Sequence, residues 1–539
     1  MPLLAFILLL LCFLASGYGI LSFFDLRLKA VYTITLSLLL GLALASFIPF
    51  LLQLLYIEIS PLSVFGCLGL AAVLLNTRVL GRMRKEGFGW IRASLPRLRF
   101  ELKPYEIPYW VVIGFLIFVS VWRAYYLPPT SRDALSGPEA IADIAVREHT
   151  LINSFFGIDL WSTNNQFKSP FLISLQVIYK MAGFPFGQIW LSVVFISITV
   201  FLYNVLKERL HPLIAGLLLL LFVMTPEMYA YTFMILYDYS NMVFFFLSVY
   251  FLFAWMGGGS LRQDESVPGE TAGDRGGGSS RQFHFAALLM GIATYIRSET
   301  LALALLFIPL ILLVQRRRKL PVKQLLIADV LFLLPSLIGY YLPSQLYIKY
   351  YLPVHYDIGG LLNDHLSSLQ PLFQRYGDIV TRLMAGEFAV HLWGYFFYLA
   401  AILFAAEAIV LRRFNREARN WLYAIVVLYL GLGALGWLLP MMNLNETTKR
   451  AMFKMLPLVL LYLANNGLLI RLSEAISRWE ATPLKWGLAG AAVSGKPAAA
   501  AAKAVLTKTG KTTVASAGKT PAAGGSKTAP GAPSKKKKK

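Results

Sequence analysis

An all-α polytopic membrane protein is the fold class the sequence predicts, and three observations carry it. Hydrophobic residues make up 57% of the 539 and charged residues only 14%. Ordinary soluble domains hold about 45–50% apolar and about 25% charged residues. The apolar residues gather in runs, many of them close to the roughly twenty residues that cross about 30 Å of hydrocarbon. The basic clusters between those runs fall on alternate connections, as the positive-inside tendency requires.

The runs lie at 2–24, 31–56, 61–75, 107–127, 187–206, 213–224, 241–255, 283–294, 300–314, 325–341, 391–410, 421–439 and 452–470. Together they predict about thirteen crossings. The first run has no charged n-region and is long for the apolar core of a signal peptide, so it reads as a spanning helix. With thirteen crossings, five basic clusters share one face: Arg82 to Arg99, Lys207 with Arg209, Arg316 to Lys319, Arg412 to Arg419, and the C-terminal tail. That face is the cytoplasmic one, so residues 128–186 and 343–390 form outer loops.

The formal charge is +22, and the segment from Arg471 to Lys539 supplies +12 of it, with fourteen Lys/Arg against Glu474 and Glu480. In a membrane protein such a bias points to anionic lipid on the cytoplasmic side rather than to nucleic acid. Residues 257–282 are rich in Gly and Ser and read as a flexible linker. The tail, 471–539, has too few apolar residues to bury a core over most of its length, and is expected to be disordered. Cys12 and Cys67 both fall in apolar runs and suggest neither a disulfide nor a metal site.

The unusual polar residues sit on the outer side. Ser131-Arg-Asp133-Ala-Leu-Ser-Gly-Pro138-Glu139 follows a spanning run directly. Pro138 in a first helical turn, with Glu139 beside it, marks a helix start. Ile141, Ile144 and Ala145 give that helix a narrow apolar stripe, suited to the membrane surface. Asp133 precedes it. Its plain alternative is an acidic flank complementing the helix dipole. Lys168-Ser-Pro170 then opens a second expected surface helix, Ile173 to Gly183. A lysine there can hold a phosphate or simply snorkel. Further pieces are Tyr237-Asp238, Arg297-Ser-Glu299 in a short turn, and Asn445-Glu-Thr-Thr-Lys449-Arg450 ahead of Pro457. Asn445-Glu-Thr447 is a formal glycosylation sequon. His149, His355, His365 and His391 lie on the same side without ligand spacing.

In this order the pieces resemble the GT-C class of integral-membrane glycosyltransferases, of the protein mannosyltransferase or aminoarabinose transferase type. Asp133-Ala-Leu135 looks like that class's acidic motif, and Lys168-Ser-Pro170 like its Lys-Pro motif. Thr225-Pro226 with Asp238, Gly291 to Arg297, and Arg450 to Pro457 resemble its later segments. The resemblance covers Ile107 to Ile470, so it divides the chain into N-terminal helices (1–106), a catalytic membrane domain (107–470) and the tail (471–539). No Asp-Glu or Asp-Asp pair stands in the first outer loop, so the catalytic carboxylate is Asp133 or Glu139.

The resemblance implies transfer of a sugar from a polyprenyl-phosphate donor to an acceptor hydroxyl on a glycan, lipid or protein, with inversion. It implies a bacterial inner (plasma) membrane and an active site outside the cytoplasm. An Asp base would take the acceptor's proton. Lys168, Arg297 and Arg450 would stabilise the leaving phosphate. Asp238 and Glu299 would bind a sugar hydroxyl or a divalent cation, Mg or Mn; no dense carboxylate or His cluster demands a metal. The competing class is a transporter or lipid flippase. That class places ionisable groups at mid-bilayer, whereas here most stand at helix ends. Glu407 is the exception.

Overall fold

A computed structural model describes residues 2–26, 28–86, 102–157, 168–257, 280–318, 321–349, 370–438 and 443–481. The predicted linker, the tail beyond 481, His355 and His365 lie largely or wholly outside the described residues, as do 158–167.

Among the described residues the secondary structure is helical, with no strand. The helices are α1 (Pro2–Phe24), α2 (Ala30–Leu54), α3 (Pro61–Leu75), α4 (Thr77–Glu86), α5 (Ile107–Tyr126), α6 (Arg132–Leu135) and α7 (Pro138–Glu148). Then come α8 (Phe171–Met181), α9 (Trp190–Lys207), α10 (Pro212–Val223), α11 (Pro226–Ala230), α12 (Tyr237–Gly257), α13 (Ser280–Ile296), α14 (Thr300–Leu305), α15 (Ile308–Arg317) and α16 (Val322–Pro343). The last are α17 (Gln370–Asp378), α18 (Glu387–Trp393), α19 (Phe396–Val410), α20 (Arg416–Leu438), α21 (Lys449–Met452), α22 (Met455–Ala464) and α23 (Gly467–Ala481). Prolines open several of them, at Pro61, Pro138, Pro212 and Pro226. A first-turn residue has no intrahelical N–H bond to lose.

Eight helical segments are long and apolar enough to cross a membrane, or up to ten if each bent pair counts as one crossing. The apolar runs predict about thirteen. The difference lies partly in α3 and α10, whose 15 and 12 residues do not by themselves span roughly 30 Å at about 1.5 Å per residue.

The lipid-facing and protein-facing sides separate cleanly on α5. Val111, Phe115, Phe118 and Trp122 are exposed, while Tyr109, Ile113, Ser120 and Ala124 are buried. An exposed apolar stripe of this kind on a long apolar helix suits hydrocarbon rather than water. By contrast α12 is buried on nearly every side. Close helix crossings rest on glycine. A Cβ on Gly41 of α2 would fall on the Phe13 carbonyl of α1, and one on Gly339 of α16 on the Gly291 carbonyl of α13. Small residues let backbones approach in this way.

One sequence expectation is corrected. The second surface helix is not at a surface: α8 is buried from Phe171 through Tyr179 and packs against α2 and α7. Its sequence, FLISLQVIYKM, has apolar residues around its whole circumference, so no face suits water. The first surface helix, α7, does have one buried stripe, Ile141, Ala142 and Ala145, with Ile144 only half-buried.

Glu407 of α19 is fully buried. It accepts hydrogen bonds from Tyr462 Oη (3.0 Å), Asn466 Nδ2 (2.7 Å) and the Gly467 N–H (2.9 Å). It thereby caps the 52° break where α22 gives way to α23, satisfying a helix-end N–H inside the protein.

Candidate functional site

Residues from five stretches of the chain converge at the ends of α12, α13 and α22. Asp238 lies in the first turn of α12 and is 2% exposed. An acidic group there complements the positive end of the helix. It pairs with Arg297, which stands in the turn between α13 and α14. Asn241 fixes that turn against α12, donating to the Ala293 carbonyl at 2.6 Å and to Thr300 Oγ1 at 2.9 Å. Arg297 also reaches Glu299, Nε to Oε1 2.7 Å. Its planar fork therefore serves two carboxylates at once.

Asp133 lies in the single turn α6 and meets Arg450 of α21 at 2.5 Å, across more than three hundred residues of sequence. Lys168 stands over the Tyr237 ring at 5.8 Å. Tyr237 Oη donates to the Ser169 carbonyl at 2.7 Å, which anchors the Lys168-Ser-Pro170 segment to the start of α12. Burial pulls the Lys168 ammonium down to about 8, with Asp133 and Asp238 opposing the fall. Burial by itself would push Glu299 up, yet Arg297 and Lys454 hold it below the usual carboxylate range.

The sequence names six of these side chains: Asp133, Lys168, Asp238, Arg297, Glu299 and Arg450. The structure brings them into one electrostatic group. Arg297, Lys454, Arg450 and Lys168 all act on Asp238.

Glu139 is held elsewhere. Its carboxylate accepts from Gln176 Nε2 and Lys180 Nζ, both at 2.6 Å, and Asp143 joins Lys180 at 2.7 Å. Burial pushes Glu139 up, and Lys180 partly offsets this. These contacts clasp α7 to α8. Of the two candidate carboxylates, Asp133 joins the central group through Arg450, whereas Glu139 pairs with Lys180.

One further group, Lys454, escaped the sequence reading. Lys454, just before α22, is completely buried, its Nζ 3.6 Å from Glu299 Oε1. Lys449 pairs with Glu227 of α11 at 3.1 Å. The signal for Lys454 was its place: a lone lysine four residues beyond Arg450, entering an apolar run. A charge inside such a run marks function by default.

The donor set does not fit a divalent cation. Asp238 and Glu299 each face cations, and among the described residues no three His, Cys, Asp or Glu side chains gather as metal ligands. His149 lies apart, at the end of α7, against the Ile59 carbonyl and Glu58.

Among the described residues, the three carboxylates Asp133, Asp238 and Glu299 therefore stand with the four cations Lys168, Arg297, Arg450 and Lys454. Comparison of the chain with protein-family models, curated proteins and solved structures finds no significant match.

Proposed function

We propose that the protein is a membrane glycosyltransferase of GT-C type, moving a sugar from a polyprenyl-phosphate donor to an acceptor hydroxyl on a glycan, lipid or protein. The observation that supports this most is the convergence of four cations, Arg297, Lys454, Arg450 and Lys168, on Asp238, where they can hold a phosphate. A sugar phosphodiester carries one negative charge, and its polyprenyl chain requires a site reached from the bilayer.

In this reading Arg450 exchanges its partner. A phosphate that draws its guanidinium away leaves an Asp133 oxygen for the acceptor hydroxyl. Asp133 then takes the proton as the hydroxyl attacks the anomeric carbon from the face opposite the leaving phosphate. The C–O bond to the phosphate breaks, and the bond electrons stay with the phosphate, where the surrounding cations stabilise them. The product is inverted at that carbon.

The reading takes the basic connections as cytoplasmic and the site as lying on the other side, outside the cytoplasm, in a bacterial inner membrane, with the C-terminus inside. Anionic lipid would gather at the basic tail. Single cysteines at Lys103 and Ser154, probed with an impermeant thiol reagent on intact cells, test this. Labelling at position 103 and not at 154 would reverse the orientation. The activity itself is tested with purified protein, radiolabelled polyprenyl-phosphate sugars and an envelope extract as acceptor. Label should appear in extract polymers or lipids. No transfer from any such donor would reject the enzyme and favour a transporter of lipid-linked sugars.

A further inference from the structure

We propose that Lys454 is the side chain that binds a phosphoryl oxygen of a lipid phosphate in the group around Asp238. The proposal rests on the phosphate-binding part of the transferase reading, and does not depend on transfer.

The charged groups differ in how far their donors are used. Arg297 is engaged by Asp238 and by Glu299. Arg450 is engaged by Asp133. Lys454 is completely buried, and among the described residues its Nζ has no hydrogen-bond partner. The Glu299 oxygen at 3.6 Å lies beyond the roughly 2.7–3.2 Å of a good N–H···O bond. An ammonium carries three donors. Burying all of them unmade is unfavourable unless something else returns the lost hydration.

Glu299 attracts the ammonium and fixes its position without satisfying it. A phosphoryl oxygen would complete the bonding. The plain alternative is that Lys454 only neutralises Glu299, and the two readings respond differently to paired substitution.

The experiment compares wild type with Lys454→Met and with the double variant Lys454→Met/Glu299→Gln, all in detergent. The probes are farnesyl phosphate, farnesol and inorganic phosphate, and the readouts are thermal midpoint and calorimetric Kd. The expected result is binding of farnesyl phosphate by wild type, no comparable binding of farnesol, and Kd weakened about tenfold or more in both variants. The double variant keeps the charge balance of the pair, so its folding is the control. Farnesyl phosphate bound by the double variant as well as by wild type would overturn the proposal, as would a wild type that binds neither phosphate probe. Inorganic phosphate binding as tightly as farnesyl phosphate, with the same loss in both variants, would assign Lys454 to free phosphate and overturn the lipid phosphate. Lysine-dependent binding of farnesyl phosphate together with no transfer from any donor would keep the proposal while rejecting the transferase.

Discussion

Asp133 and Glu139 stand six residues apart in the same segment, and the fold gives them opposite circumstances. Glu139 is enclosed in a clasp with Gln176 and Lys180, both at 2.6 Å. Asp133 reaches across the protein to Arg450, one of four cations that act on Asp238. A closed pair between neighbouring helices holds structure together. The group around Asp238 instead keeps a buried lysine, Lys454, whose Nζ has no hydrogen bond among the described residues. Burial does not set the two apart in favour of Asp133: Glu139 is the more buried of the two.

The largest expected effect would come from Asp133→Asn. An amide cannot accept the acceptor's proton, so transfer falls about 10²–10⁴-fold, with little change in thermal midpoint because Asp133 is a quarter exposed at a short turn. Near-normal transfer would remove Asp133 as base and erase the contrast. Glu139→Gln is the opposite case: transfer per folded molecule persists while stability drops.

Breaking the clasp from the other side sharpens this. Lys180→Met leaves Glu139 and Asp143 without their cation. Losing one partner of a buried pair costs about 3–5 kcal/mol, read as an earlier thermal transition in detergent. The double variant Lys180→Met/Glu139→Gln should recover part of the loss. If Lys180→Met instead abolished transfer at unchanged stability, the clasp would belong to the site.

A smaller effect is expected from pH. Lys168 titrates near 8 because burial disfavours its charge. It is charged below that value and neutral above it, so affinity for a phosphate ester should decline as pH rises from 7 to 9. Lys168→Arg should flatten the decline, since an arginine stays charged throughout. A wild-type affinity that is constant over this range would exclude Lys168 from the phosphate's surroundings. The smallest effect is expected from truncation after Trp486. A tail of Ala, Lys, Thr, Gly and Pro packs no site, so rates should stay within about twofold of wild type. A truncated protein that inserts normally but transfers nothing would place the tail in the chemistry.

Composition and periodicity were enough for the helical membrane class, since hydrocarbon leaves a spanning chain few ways to satisfy its backbone. Position along the chain also marked Asp133, Lys168, Asp238, Arg297, Glu299 and Arg450, because charges are sparse here and each stands at a helix end. What stayed hidden depends on contacts between distant stretches. Nothing local distinguishes Asp133 from Glu139; the difference is Arg450, brought from the far end of the chain, against Lys180, brought by the next helix. Nor does the run FLISLQVIYKM say that it will be covered by α2 and α7. Lys454 stood out only by its place at the head of an apolar run; its burial and the Glu299 beside it came from packing. Sequence fixes which groups are costly to bury, through their solvation. Only the tertiary structure decides which of them meet a partner, because a partner is a matter of distance in space rather than along the chain.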